Sequence, residues 1–166
     1  MSAQIDTLTL AWATHRLGGI QTPANAAYSA PELEHQLRDS GAKCLFTCLT
    51  LLPLALEAAD KAGIPRKRIY LLELPEILTP GLSGEGHKTV DDLIAEGKDL
   101  PTVEALQWGQ GEGARRSAFL CYSSGTSGLP VCLVNCRRKM KLTESPERCN
   151  DLASECDCER RADVDV

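Results

Sequence analysis

Long apolar runs are missing from this 166-residue chain. No stretch of roughly 18 or more hydrophobic residues occurs, which argues against a membrane-spanning helix. Basic residues are in the minority, 18 Lys and Arg against 23 Asp and Glu, for a net charge of -5 and a pI near 5.2. Without a basic footprint, neither nucleic acid nor an anionic membrane surface is an expected partner. The mild acidity promotes solubility and says little about substrate. Met1-Ser-Ala-Gln-Ile-Asp6 has no basic region followed by an apolar one, as a secretory signal would. Ala162-Asp-Val-Asp-Val166 is neither a prenylation box nor a peroxisomal tripeptide. The cytoplasm is therefore the expected compartment, with thiols kept reduced.

Histidine is scarce as well: His15, His35 and His87 are the whole supply of triad bases. The first two fall in amphipathic helical patterns and the third in a loop, so all three read as structural or solvated. Familiar catalytic signatures are also lacking. A Walker loop needs Gly-Lys-Ser/Thr at its end, but Gly128 is followed by Leu129-Pro130. A nucleophile elbow needs Gly-x-Ser-x-Gly, but Cys121 stands where the first glycine belongs before Ser123. Paired Cys-x-x-Cys spacing does not occur among the eight cysteines. No catalytic residue and no metal-ligand set is assigned.

What is present describes an ordinary globular chain, with 43% hydrophobic and 25% charged residues. Residues 5–17 have helical spacing, with a stripe of Ile5, Leu8, Ala11 and Trp12 stopped by Gly18-Gly19. Ser29-Ala-Pro-Glu32 is a capping box for a helix whose Leu33 and Leu37 share a face, ended by Gly41. Residues 42–47 form a strand-length apolar run, 51–62 a helix with Leu52, Leu56 and Ala59 inward, and 68–73 a second buried strand. Pro75 to Lys88 is a Pro/Gly-rich loop, and Thr89 caps a short helix through Glu96. Ser117-Ala-Phe-Leu-Cys-Tyr122 is a third strand. Alternating strands and helices predict an α/β fold, a partial layered and mostly parallel sheet with flanking helices. Cys44, Cys48 and Cys121, in apolar segments, read as small core residues.

The third strand runs straight into Ser123-Ser124-Gly125-Thr126-Ser127-Gly128. Glycines let a backbone approach an anion closely, and successive amides in a tight turn form a nest for phosphate oxygens. Hydroxyls add donors without bulk, and Pro130 stiffens the exit. Such a turn alone would be a plain loop; its place directly after a buried strand makes it a phosphate-site candidate.

Tyr122-Ser-Ser-Gly-Thr-Ser-Gly-Leu-Pro130 resembles the signature loop of the AMP-binding (adenylate-forming) superfamily, and residues 16–43 are similar to that family's second shared segment. The flavour is closest to 4-coumarate–CoA-ligase-like acyl-CoA synthetases, over roughly residues 3–130. The resemblance implies a ligase in which a small carboxylic acid attacks the α-phosphate of Mg-ATP, after which CoA thiol displaces AMP. It implies that Ser123, Ser124, Gly125, Thr126, Ser127 and Gly128 bind ATP, with Mg2+ and CoA as further family co-substrates.

The family pattern continues Gly-x-Pro-Lys-Gly, whereas this chain has Val131-Cys132. A cation expected beside the phosphates is replaced by an apolar residue. Residues 131–166 contain no aromatic, and they hold Cys132, Cys136, Cys149, Cys156 and Cys158. The expected organisation is a partial AMP-binding domain over 1–130, an inner slice of the large domain. Residues 131–166 are then an unrelated, disordered tail, consistent with a shifted frame or retained intron after Pro130 rather than a metal-binding module. Such a truncated chain is expected not to complete the reaction alone. The alternative is a non-catalytic fragment that docks on a partner, a full-length ligase included.

Overall fold

The computed structural model describes residues 5–74, 81, 83–84, 86–123 and 131–136. Its first helix, α1 (Ile5–Arg16), ends where predicted, at Gly18 with φ 77°. Only glycine adopts this left-handed backbone without strain. The stripe behaves differently from expectation. Ala11 is buried, but Leu8 is 58% and Trp12 62% exposed. No described element covers that face, so helical periodicity forms the helix without burying it.

The second helix, α2 (Ala30–Asp39), starts at its expected cap. Glu32 Oε2 accepts from the Ser29 amide at 2.8 Å and from the Ser29 hydroxyl at 2.6 Å. Those bonds hold the Glu32 carboxyl below the usual carboxylate range, the hydroxyl contributing most. Strand β1 (Leu45–Cys48) follows, then a single 3-10 turn and α3 (Leu52–Ala62), closed by Gly63 at φ 77°. Strand β2 (Ile69–Leu72) pairs parallel to β1, in register from Leu45 opposite Ile69 to Cys48 opposite Leu72. Parallel strands need a crossover, and α3 supplies it.

The apolar cluster lies between these layers. Leu33 and Leu37 of α2, Leu52, Ala58 and Ala59 of α3, and Ile64, Ile69 and Leu71 make up its buried part. Each leucine or isoleucine so buried contributes roughly 1.5–3 kcal/mol. The small Ala58 and Ala59 let α3 lie close against its neighbours. Beyond β2, Thr89 bridges Leu71 in parallel sense and caps α4 (Val90–Gly97) by accepting from the Asp92 amide at 3.1 Å. The short α5 (Glu112–Arg115) leads to β3 (Ser117–Ser123), which pairs antiparallel with β4 (Val131–Cys136).

The α/β reading holds, with a parallel pair at its core, and the hairpin of β3 and β4 adds an antiparallel component. The cysteine reading changes. Cys44 is exposed and Cys48 and Cys121 are half-buried, so none is a core residue. Cys44 lies just outside β1 rather than within it, and only partial desolvation pushes its thiol above the ordinary range. No helix among the described residues is long and apolar enough to cross a membrane.

Candidate phosphate-binding site

Strand β3 is hydrogen-bonded along both edges. On one side β4 pairs with it from Ser117 opposite Cys136 to Ser123 opposite Val131, with an irregularity between Ser117 and Phe119. On the other side Gln21 bridges it: the Gln21 amide donates to Ala118 O at 3.0 Å, and the Leu120 amide donates to Gln21 O at 2.9 Å. Ala118 is fully buried there. The apolar Ala118-Phe-Leu-Cys121 run thus becomes an interior strand, as its composition predicts, while the Ser123 end emerges exposed.

Register defines what the strand carries. Ser123 and Val131 are cross-strand partners, so residues 124–130 join the two ends of a hairpin. Of the sequence-predicted phosphate ligands, Ser123 sits at the last position of the stem; Ser124, Gly125, Thr126, Ser127 and Gly128 lie outside the described residues. Val131, where the resemblance places a lysine, is opposite Ser123 in backbone register.

Contacts from distant parts of the chain hold this stem. Tyr122 Oη donates to Asp39 Oδ2 at the end of α2. Thr22 Oγ1 donates to Leu120 O at 3.0 Å, and Gln36 Nε2 donates to Thr22 Oγ1 at 2.7 Å. His15 Nε2 lies 3.0 Å from Ala118 O, and its ring meets Phe119 edge-on at 4.9 Å. Opposite a carbonyl a ring nitrogen can only donate, so Nε2 carries the proton. His15 is accordingly a strut between α1 and β3. His87 Nδ1 lies 3.3 Å from Ile69 O, beside the parallel pair. Sequence reasoning missed Asp39, Gln36 and Thr22. The available signal was Gln36, a polar residue between Leu33 and Leu37 in the apolar spacing of α2.

A cavity of about 280 Å³ opens at the end of β2, lined by Leu49, Leu71, Leu72 and Leu74 with His87 and Thr89. Its walls are not those of the β3 stem. Among the described residues no three His, Cys, Asp or Glu side chains converge as a metal site. At the described end of the stem Ser123 offers one exposed hydroxyl.

Residues 1–133 match the profile of the AMP-binding enzyme family. The chain belongs to that family. Acyl-CoA ligase AFT1-1 of Alternaria alternata is 40% identical over 131 residues, covering 78% of this chain and 22% of that protein. Acyl-CoA ligase cm3C of Cordyceps militaris is 37% identical over 128 residues, 75% of this chain and 20% of that one. This AMP-binding chain thus spans about a fifth of the length of the curated relatives it matches.

Among solved structures, the anthranilate CoA ligase AuaEII in complex with anthranoyl-AMP superposes with a TM-score of 0.66 at 26% identity, covering 83% of this chain and 24% of that one. A red-emitting luciferase from Phrixothrix hirtus superposes with a TM-score of 0.66 at 19% identity, over 83% of this chain and 32% of its own, and shows the fold alone. The α/β layers of this chain are therefore a slice of the adenylate-forming enzyme fold.

Proposed function

We propose that this chain carries the triphosphate-binding part of an adenylate-forming acid–thiol ligase. The activity of such a ligase is ATP-dependent activation of a carboxylic acid, through an acyl-adenylate, to a CoA thioester. The carrying observation is the β3–β4 stem, with Ser123 and Val131 paired at the base of the Ser123–Gly128 sequence. Acyl-CoA ligase relatives at 40% and 37% identity support the reaction class. In this reading Ser123, Ser124, Gly125, Thr126, Ser127 and Gly128 hold ATP phosphates through amides and hydroxyls. Mg2+ arrives as the metal of Mg-ATP, and the cytoplasm supplies CoA.

The same stem carries the reason for proposing that the 166-residue chain does not turn over by itself. Val131 puts an apolar side chain where family members place a lysine, and an anion without its cation is held less tightly. Calorimetric titration with Mg-ATP tests the reading. Weak binding is expected, tightened by Val131→Lys up to roughly fivefold, the range for a solvent-exposed ion pair. Absence of binding by both proteins would overturn it. Carboxylate-dependent ATP–pyrophosphate exchange by the purified chain would overturn the proposed inactivity alone.

A partner-binding role is the second reading, favoured by exposed Leu8, Trp12, Leu17 and Ile20. A full-length ligase is the partner considered; of the expected 131–166 tail, Val131–Cys136 pairs with β3 as β4 and residues 137–166 lie outside the described residues. Pull-down with a full-length relative tests it, and a chain that stays monomeric and captures nothing counts against it.

A further inference from the structure

Helix α2 has two working faces. Leu33 and Leu37 belong to the apolar cluster shared with α3. Gln36, between them in sequence, is only 1% exposed. A buried amide is costly unless its polar atoms are hydrogen-bonded. Gln36 Nε2 donates to Thr22 Oγ1 at 2.7 Å and to Pro23 O at 3.3 Å. The Pro23 carbonyl fixes the orientation of the amide, since the flipped group would set oxygen against oxygen. Among the described residues Gln36 Oε1 has no partner, so the amide is held through its donor side. Thr22 passes the restraint on by donating to Leu120 O at 3.0 Å.

Three residues further along α2, on the same side of the helix, Asp39 accepts from Tyr122 Oη. One face of the helix therefore reaches β3 at Leu120 through Thr22, and directly at Tyr122, just before Ser123. Packing alone demands neither contact. A leucine at position 36 would continue the apolar stripe, and strand β3 already has hydrogen-bonded neighbours on both edges. What the two contacts add is a fixed position of β3 along its own axis relative to α2.

We infer that Gln36, Thr22 and Asp39 are positioning residues: acting through Leu120 and Tyr122, they set where the β3 end of the Ser123–Val131 stem stands for nucleotide phosphates. The inference rests on the reading of Ser123–Gly128 as the phosphate-binding sequence. Two arms keep the two ideas separate. In the first, residue-resolved amide exchange is measured on the full chain without nucleotide. Thr22→Val and Asp39→Ala are expected to speed exchange across Leu120–Ser123 by roughly three- to tenfold, the cost of one hydrogen bond. Exchange in α3 is expected to stay unchanged. Thr22→Ser and Asp39→Asn, which keep an oxygen in place, are expected to restore protection.

In the second arm, Mg-ATP affinity is measured for the same proteins. Thr22→Val and Asp39→Ala are expected to weaken it roughly three- to tenfold. The conservative pair should recover it, and Asp39→Ala combined with Tyr122→Phe should cost no more than either alone. Unchanged exchange at Leu120–Ser123 in both disruptive variants overturns the inference. So does changed exchange with unchanged affinity in a parent that binds. A parent that binds no Mg-ATP overturns the phosphate-site reading on which the inference depends. Loss of protection throughout α3 as well would reassign these residues to general stability and overturn a positioning role.

Discussion

Single atoms decide much of this chain's local stability. Gly63 ends α3 at φ 77°, and its amide donates to Asp60 O. Any L side chain there is strained, so Gly63→Ala is expected to destabilise the fold by about 1 kcal/mol, read as a lower urea midpoint at unchanged slope. Space is not the cause, since a Cβ at Gly63 meets no atom within 4 Å. Leu37 is the opposite case. It is 4% exposed inside the cluster, and Leu37→Ala leaves a void that α2 and α3 cannot both close. The expected loss is about 3 kcal/mol in the same measurement, and a cost under about 1 kcal/mol would mean the site collapses around the gap.

Two helix N-terminal caps make the fold sensitive to acid. Glu32 caps α2, and its carboxyl lies below its ordinary 4.5 because the Ser29 hydroxyl and amide donate to it. Asp92 caps α4, and its carboxyl lies below 3.8 because the Thr89 amide and hydroxyl bond it. Depressed folded values mean that these caps contribute fully above the ordinary carboxylate range. The contribution is lost as pH falls through the lowered folded values. Acid titration of helical circular dichroism should therefore show loss starting below about pH 4.5, the ordinary value for Glu32. Glu32→Gln and Asp92→Asn should flatten that part of the curve; an unchanged profile in the double variant would place the transition elsewhere. Thr89→Ala, which deletes the α4 cap, is expected to cost about 1 kcal/mol. These ends were legible in advance. Ser29-x-x-Glu32 and the Thr89 cap are local chemistry, complete within one turn of chain, and the structure adds Asp92 to the latter.

On the scale of the whole molecule, the exposed face of α1 is the least conventional feature. Trp12 is 62% exposed and Trp108 38% exposed, and together they are the chain's two tryptophans. Fluorescence of the native protein is expected to resemble that of indole in water and to be readily quenched by acrylamide. Blue-shifted, quencher-resistant emission would show that these side chains are covered in solution. The helix itself was readable from spacing in residues 5–17, one residue longer than α1, but its inward face was not. Periodicity states which residues share a side and is silent on whether anything packs there.

The identities of α1 to α4 and β1 to β3, the Ser29–Glu32 capping box, the Thr89 cap and the family of the Tyr122–Pro130 loop follow from sequence alone, because each depends on residues within a few positions of one another. Those of α5 and β4 do not, β4 falling where the sequence predicts a tail. Tertiary structure decided what no local pattern contains. It exposed Leu8 and Trp12, turned His15 into a strut beneath Ala118, and brought Asp39 to Tyr122 across 83 residues of chain. It also set Val131 opposite Ser123 by hairpin register, so that the lysine-to-valine departure falls on the stem itself. Hydrogen bonding between distant segments depends on where whole layers pack, and that is fixed only once the α2–α3 core has formed.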